Sequence, residues 1–206
     1  MTWFEYQRPQ SLGEASDLLR EDDAVALAGG TDLLVAVRHR AVRPALVVDL
    51  KSVTDIADET EVEGDRLRIG GRVVMSRLTR NEHVSRHFPA LAQAAAVVGS
   101  VQIRNRATLA GNLCNASPAA DTAPALLAYG ASVIASGPDT TRSIPVEEFF
   151  TGPGATVLER GEIVTAVELP IPPTAVGSAF ARVTHRRGVD LASVSLACTL
   201  DSSGRA

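Results

Sequence analysis

Ala107-Thr108-Leu109-Ala110-Gly111-Asn112-Leu113-Cys114-Asn115-Ala116-Ser117-Pro118-Ala119-Ala120-Asp121 is a run of small and polar residues with almost no bulk. Apolar, helix-like segments flank it on both sides. Small residues let a ligand come close to the backbone. Thr, Asn, Ser and Asp supply hydroxyl, amide and carboxylate partners for a polar, sugar-like or phosphate-like ligand. Such a run makes a poor core and a poor surface loop, so we read it as one wall of a binding site.

An earlier stretch has the same character. Ala28, Gly29, Gly30, Thr31 and Asp32 follow the strand-like run Ala24-Val25-Ala26-Leu27 and precede the helix-like run Leu33-Leu34-Val35-Ala36-Val37. Strand, glycine turn and helix start is a local geometry that presents backbone N–H groups to an anion. A Gly-Gly pair alone is most often a tight turn and nothing more. Two such stretches in one chain point to a diphosphate ligand.

Bulk properties narrow the class. The 206 residues suit one or two domains with a sizeable core. A net charge of −4 argues against nucleic acid as a partner. No apolar run approaches the length of a transmembrane helix. Met-Thr-Trp-Phe-Glu-Tyr lacks the basic start and apolar core of a signal peptide, so the expected location is cytoplasmic. Cys114 and Cys198 are too few for a disulfide framework. They are also too few for an iron–sulfur cluster, which takes about four thiolates. His83 and His87 share a helix face but have no evident third ligand, so they are read as solvated and no metal is expected. Cys114 is expected to be a small buried filler and Trp3 an N-terminal packing anchor. Spacing gives no Ser/His/Asp triad and no paired carboxylates, so no catalytic residue is named.

The chain in order predicts an α+β protein. Ser11-Leu12-Gly13-Glu14 reads as a capping box opening a helix. A strand at 24–28, a helix from the Gly-Gly turn to about Arg40 and a buried strand at 45–50 form a small parallel βαβ unit. Beyond Leu50 come a hairpin around Gly64-Asp65, a short helix capped by Ser76, and a helix opened by Pro89 and closed by Gly99. A helix at 122–129 and strands at 131–136, 142–144 and 163–169 follow, with a turn at 149–153, in a unit whose sheet is mainly antiparallel. Pro170-Ile171-Pro172-Pro173 reads as a boundary. Two strands at 178–184 and 193–200 lead to a turn at Asp201-Ser202-Ser203-Gly204 with no returning strand. That turn suggests a chain cut short within its last domain.

AGGTDLL near the N-terminus and IRNRATLAGNLCNASPAADTAPALLA further on resemble the FAD-binding medium subunits of molybdenum hydroxylases of the carbon monoxide dehydrogenase and xanthine dehydrogenase type. The resemblance runs from Phe4 to about Leu200. It implies the FAD-binding fold of the vanillyl-alcohol-oxidase (PCMH) type over 1–173, divided into subdomains 1–52 and 53–173. An incomplete C-terminal α+β domain over 174–206 would follow. It implies FAD here, with the molybdopterin cofactor in a large partner subunit and [2Fe-2S] clusters in a small one, arranged as a dimer of heterotrimers. The chain would then pass electrons from those clusters through FAD to an external acceptor.

By the same resemblance, Ala28, Gly29, Gly30, Thr31 and Asp32 form one diphosphate loop, with Asp32 also a candidate helix N-cap. Thr108, Leu109, Ala110, Gly111 and Asn112 form the other; many relatives have two adjacent glycines where this chain has Ala110-Gly111. Asp121 matches an aspartate that bonds the ribityl chain, with helix capping as the competing role, and Ser117 is expected to assist. Val164 matches a position whose backbone lies near the flavin ring. Phe180-x-Arg182-x-x-x-Arg186-x-x-x-Asp190 matches a pattern in which lysine often stands where Arg182 does, near the ring edge. Leu191 occupies a position where some relatives cover the ring with an aromatic residue. Arg104 and Arg106 are equally read as diphosphate counter-charges or surface residues. Two other readings stay open: a stand-alone flavin reductase on the same fold, and a truncated scaffold chain without catalysis.

Overall fold

A computed structural model describes residues 4–173 and 176–200. Trp3 and the turn expected at Asp201–Gly204 lie outside the described residues. Strand β1 (Glu5–Gln7), helix α1 (Leu12–Leu18), strand β2 (Ala24–Leu27), helix α2 (Leu33–Arg38) and strand β3 (Leu46–Asp49) form the first layer. Its sheet is parallel, in the order β1-β3-β2. The capping box at α1 forms: Ser11 accepts from the Glu14 amide, while Glu14 reaches back to the Gln10 amide. Strand β1 was not foreseen, because all three of its residues are exposed and show no apolar alternation. Ala15, Leu19, Leu46, Val48 and Ile56 build the core under this sheet, and Ile163 reaches into it from the second sheet.

Strands β4 (Thr60–Glu63) and β5 (Arg66–Gly70) form the expected hairpin, with Gly64 at φ +62° in the turn. Short helices follow: α3 (Met75–Leu78), α4 (Glu82–His87), α5 (Pro89–Val97), α6 (Val101–Arg104), α7 (Leu109–Cys114) and α8 (Thr122–Ala128). Ser76 does not cap α3; that position falls to Val74, two residues earlier than the sequence suggested. Pro89 opens α5, and Gly99 follows its end at φ +50°. Next come β6 (Ser132–Ser136), β7 (Thr141–Pro145), α9 (Val146–Phe149), β8 (Phe150–Gly152), β9 (Ala155–Thr156) and β10 (Ile163–Pro170). The turn expected at 149–153 is thus a helix end running into a small hairpin, with Phe149 fully buried. The second sheet has the order β4-β5-β10-β6-β7, and every neighbouring pair in it is antiparallel.

Arg142 on β7 grips Glu162 with two bonds, at 2.7 and 2.8 Å, and the Glu159 amide adds a third at 2.7 Å. The Arg142 hydrogen bonds outweigh the effect of burial and hold the Glu162 carboxyl below its usual range. A lowered folded-state pKa stabilises the protein above the unfolded value, about 4.3, and that contribution fades as pH falls through the folded value. Glu162→Gln is expected to cost about 1.5–3 kcal/mol at neutral pH and much less at acid pH. Urea midpoints at neutral pH and below the carboxylate range check this, and an equal loss at both would contradict it.

Strands β11 (Gly177–Thr184) and β12 (Ala192–Leu200) pair as an antiparallel hairpin. Phe180 and Ala197 pack inward on the main core, against α5 and α8. The Tyr129 hydroxyl ties the hairpin down, lying 2.5 Å from Ser178 Oγ and accepting from the Ala90 amide at 3.1 Å. Val183, Val194 and Leu196 stand on the opposite, exposed face. No helix among the described residues is long and apolar enough to cross a membrane.

Candidate functional site

A cleft of about 1240 Å³ runs between the parallel sheet, helices α6 and α7, the edge of β10 and the tip of the β11–β12 hairpin. It exceeds the roughly 300–1,000 Å³ that houses a drug-sized ligand, so it suits an extended one. Residues 28–32 line it, as do Thr108, Ala110, Gly111, Asn112, Ser117, Asp121 and Val164.

The two small-residue stretches meet there through their main chains. A Cβ on Gly29 would lie 2.7 Å from the Arg106 carbonyl carbon and 3.0 Å from Ala107 Cα. A Cβ on Gly111 would sit 3.8 Å from Ala28 Cβ. Gly30 takes φ +76°, a conformation that L side chains rarely adopt. Among the described residues, the amides of Gly29, Gly30 and Thr31 donate to no backbone acceptor.

The second stretch is helical over Leu109–Cys114 and irregular from there to Asp121. Thr108 caps α7, its hydroxyl accepting from the Gly111 amide at 3.0 Å. The Leu109 amide donates to Val73 at 3.2 Å, and the Leu109 side chain is fully buried in the core. Those two donors are therefore engaged within the protein. The Ala110 amide, between them, has no backbone acceptor among the described residues. Asn112 Oδ1 accepts from Thr122 Oγ1 at 2.6 Å, and Ser117 Oγ accepts from the Ala119 amide at 3.2 Å.

Asp32 and Asp121 both stand at helix starts, and neither makes a side-chain cap bond. Capping explains neither residue. Asp32 instead accepts from its neighbour Thr31 Oγ1 at 3.2 Å. Asp121 pairs with Arg182, whose Nη1 lies 2.8 Å from Oδ2. Its other oxygen, Oδ1, is buried without a hydrogen-bond partner. Burial pushes the Asp121 carboxyl upward, against the opposing pull of Arg182. Arg182 thus joins the site through Asp121 and reaches it from β11.

Val164 is buried beside a bulge in β10, where the register shifts between Val164 and Ala166. Leu191, Arg186 and Asp190 bring the hairpin tip to the cleft, with Leu191 73% exposed. Cys114 is not the buried filler expected. It is exposed on the cleft wall. Arg104 turns away to donate to the Val98 and Gly99 carbonyls, while Arg106 lines the cleft.

Sequence reasoning missed Lys51, Arg72 and Glu162, which also line the cleft. Two signals could have found the first pair. Lys51 follows the carboxyl end of a parallel strand, where open α/β sheets gather their ligands. Gly70-Gly71 precedes Arg72 and marks a close backbone approach: a Cβ on Gly71 would lie 2.5 Å from the Val164 carbonyl oxygen.

A buried acceptor without a partner, free backbone donors and a floor too tight for side chains fit a ligand bearing hydroxyls and phosphates. Comparison with known proteins agrees. Residues 2–172 match the family described as FAD binding domain in molybdopterin dehydrogenase. The xanthine dehydrogenase FAD-binding subunit of Escherichia coli O157:H7 is 36% identical over 201 residues, which are 96% of this chain and 69% of that protein. The carbon monoxide dehydrogenase medium chain of Afipia carboxidovorans is 30% identical, over 98% of this chain and 70% of its own. Among solved structures, carbon monoxide dehydrogenase from Hydrogenophaga pseudoflava, in a form lacking the Mo-pyranopterin moiety, superposes with a TM-score of 0.93. Its identity is 31%, covering 98% of this chain and 70% of that one.

Proposed function

The chain belongs to the family of FAD-binding domains of molybdopterin dehydrogenases, and from that premise we propose that it is the flavoprotein subunit of a molybdenum hydroxylase complex, holding FAD across the cleft just described. The backbone contact between the two glycine stretches carries this reading, because it puts their donors on one floor. Gly29, Gly30, Thr31 and Ala110 would donate backbone N–H groups to the diphosphate, with Ala28, Thr108, Leu109, Gly111 and Asn112 shaping the approach. The free Oδ1 of Asp121 would accept from a ribityl hydroxyl, with Ser117 beside it. Val164 would flank the ring, and Arg182 would fix Asp121 from the hairpin. Asp32 would frame the first loop without capping its helix. When bound, FAD supplies the redox chemistry, relaying electrons from [2Fe-2S] clusters of a small partner subunit to an external acceptor, while the molybdopterin cofactor stays in a large one. A dimer of such heterotrimers is the assembly this reading implies. The FAD-binding unit would span residues 1–173, and 174–206 would begin a C-terminal unit.

This chain's own part is to bind, orient and shield. Val164, the hairpin tip and the glycine stretches all line the cleft that would hold FAD. Flavin titration of the purified chain tests the proposal. Wild type is expected to take up FAD, turn yellow and quench flavin fluorescence. Gly111→Val is expected to weaken binding at least about tenfold, or ~1.4 kcal/mol. Even its Cβ would meet Thr108 Oγ1 at 2.8 Å, and the branches would crowd the free Ala110 amide. A wild-type chain that stays colourless with excess FAD would overturn the proposal. Unchanged affinity in the variant would remove the second stretch from the site.

A further inference from the structure

Arg72 sits on the cleft wall with its backbone fixed on both sides. The Gly71 amide donates to the Thr165 carbonyl at 2.7 Å, and the Arg72 amide donates to Ala57 at 3.1 Å. Its guanidinium is only half engaged. Nη1 donates to the Lys51 carbonyl at 2.8 Å, whereas Nε is buried and has no acceptor. Among the described residues, no carboxylate pairs with Arg72.

Lys51 shows the contrast. Its ammonium lies 2.5 Å from Asp49 Oδ1, and the other oxygen of Asp49 accepts from the Tyr6 hydroxyl. Burial pulls the Asp49 carboxyl up, but the bonds from Lys51 and Tyr6 outweigh it and hold the carboxyl below its usual range. Lys51 is therefore charge-compensated. It also donates to the Ala28 carbonyl at 3.4 Å, which ties the first glycine stretch to the segment that anchors Arg72. A chain of contacts thus runs from Ala28 through Lys51 to a guanidinium on the cleft wall that no carboxylate among the described residues compensates. Guanidinium forks match phosphate oxygens, which accept from two N–H groups at once.

We propose that Arg72 is an anion-recognition residue of this cleft, donating from its guanidinium to a phosphate oxygen of a dinucleotide diphosphate held over the first glycine stretch. The proposal rests on the FAD-binding reading and adds to it a charged side chain that the backbone donors alone do not supply. Lys51 acts as its positioning residue, with Asp49 and Tyr6 holding the lysine in place. Because the interaction is between opposite charges, salt should weaken it.

Fluorescence titration of the full chain with FAD, repeated over a range of sodium chloride concentrations, provides the test, with urea unfolding of each ligand-free variant as the control for folding. Arg72→Gln is expected to bind FAD at least about tenfold more weakly, with a shallower dependence on salt than wild type. Arg72→Lys keeps the charge and loses the fork, so it is expected to keep the wild-type salt dependence at intermediate affinity. An Arg72→Gln chain that folds like wild type and matches its affinity overturns the proposal. So does one whose weakened binding keeps the full salt dependence, since that marks a packing role. A wild-type chain that binds no FAD at any salt overturns the parent reading, and this assignment falls with it.

Discussion

Gly29→Ala is expected to abolish tight FAD binding and to destabilise the chain, although it adds one methyl group. The added Cβ would press on the Arg106 carbonyl group and lie 3.0 Å from Ala107 Cα. These are main-chain atoms, so no rotamer change relieves the overlap. The Arg106 and Ala107 amides themselves donate hydrogen bonds to the Ile103 carbonyl at 2.9 and 2.7 Å. The two stretches must therefore move apart, and the donors they present cease to converge. Overpacking of this kind costs about 1–3 kcal/mol. The loss in FAD affinity is expected to reach about a hundredfold, or ~2.7 kcal/mol. Thermal melting and flavin titration of the same preparation measure both effects. Wild-type affinity in this variant would show that the contact does not organise the site.

Asp121→Ala is the second large effect. It removes the buried acceptor at Oδ1 and leaves Arg182, whose side chain is only 14% exposed, without its carboxylate. Stability is expected to fall by about 1–3 kcal/mol, the usual cost of stranding a buried polar group. FAD affinity should fall at least about tenfold. Asp121→Asn separates the contributions: it keeps an acceptor but not the charge, so it should retain more affinity than alanine. The pH dependence has a definite sign. Because burial raises the folded-state pKa, the carboxyl's contribution to stability is fully present below the unfolded value, about 3.9, and is lost as pH rises through the folded value. The asparagine variant should lack that dependence. Urea midpoints across the acid range and flavin titrations check these outcomes, and equal affinities in wild type and Asp121→Ala would separate Asp121 from the cofactor.

The parts of this fold that follow from local chemistry were legible in the sequence. The capping box at Ser11, the proline start of α5, the Gly64 turn and the βαβ order all depend on residues close together in the chain. Strand β1 was hidden because its pairing with β3 lies about forty residues away and its side chains are exposed. The small-residue run was read as one wall, yet it folds into α7, because Thr108 offers a cap and Leu109 and Leu113 offer two buried anchors. Side-chain partners across units were the least legible. Nothing near Asp121 in the chain announces Arg182, and nothing near Arg72 announces Lys51.

Position 106 meets Gly29 through its carbonyl group, so that contact depends on the main chain there and not on which side chain stands at 106. Related proteins can therefore differ widely at 106 and still be built on the same joint. Importance ranked by residue identity would pass over the very spot that fixes its glycine counterpart. Only a change that bends the backbone there, such as proline, exposes the dependence.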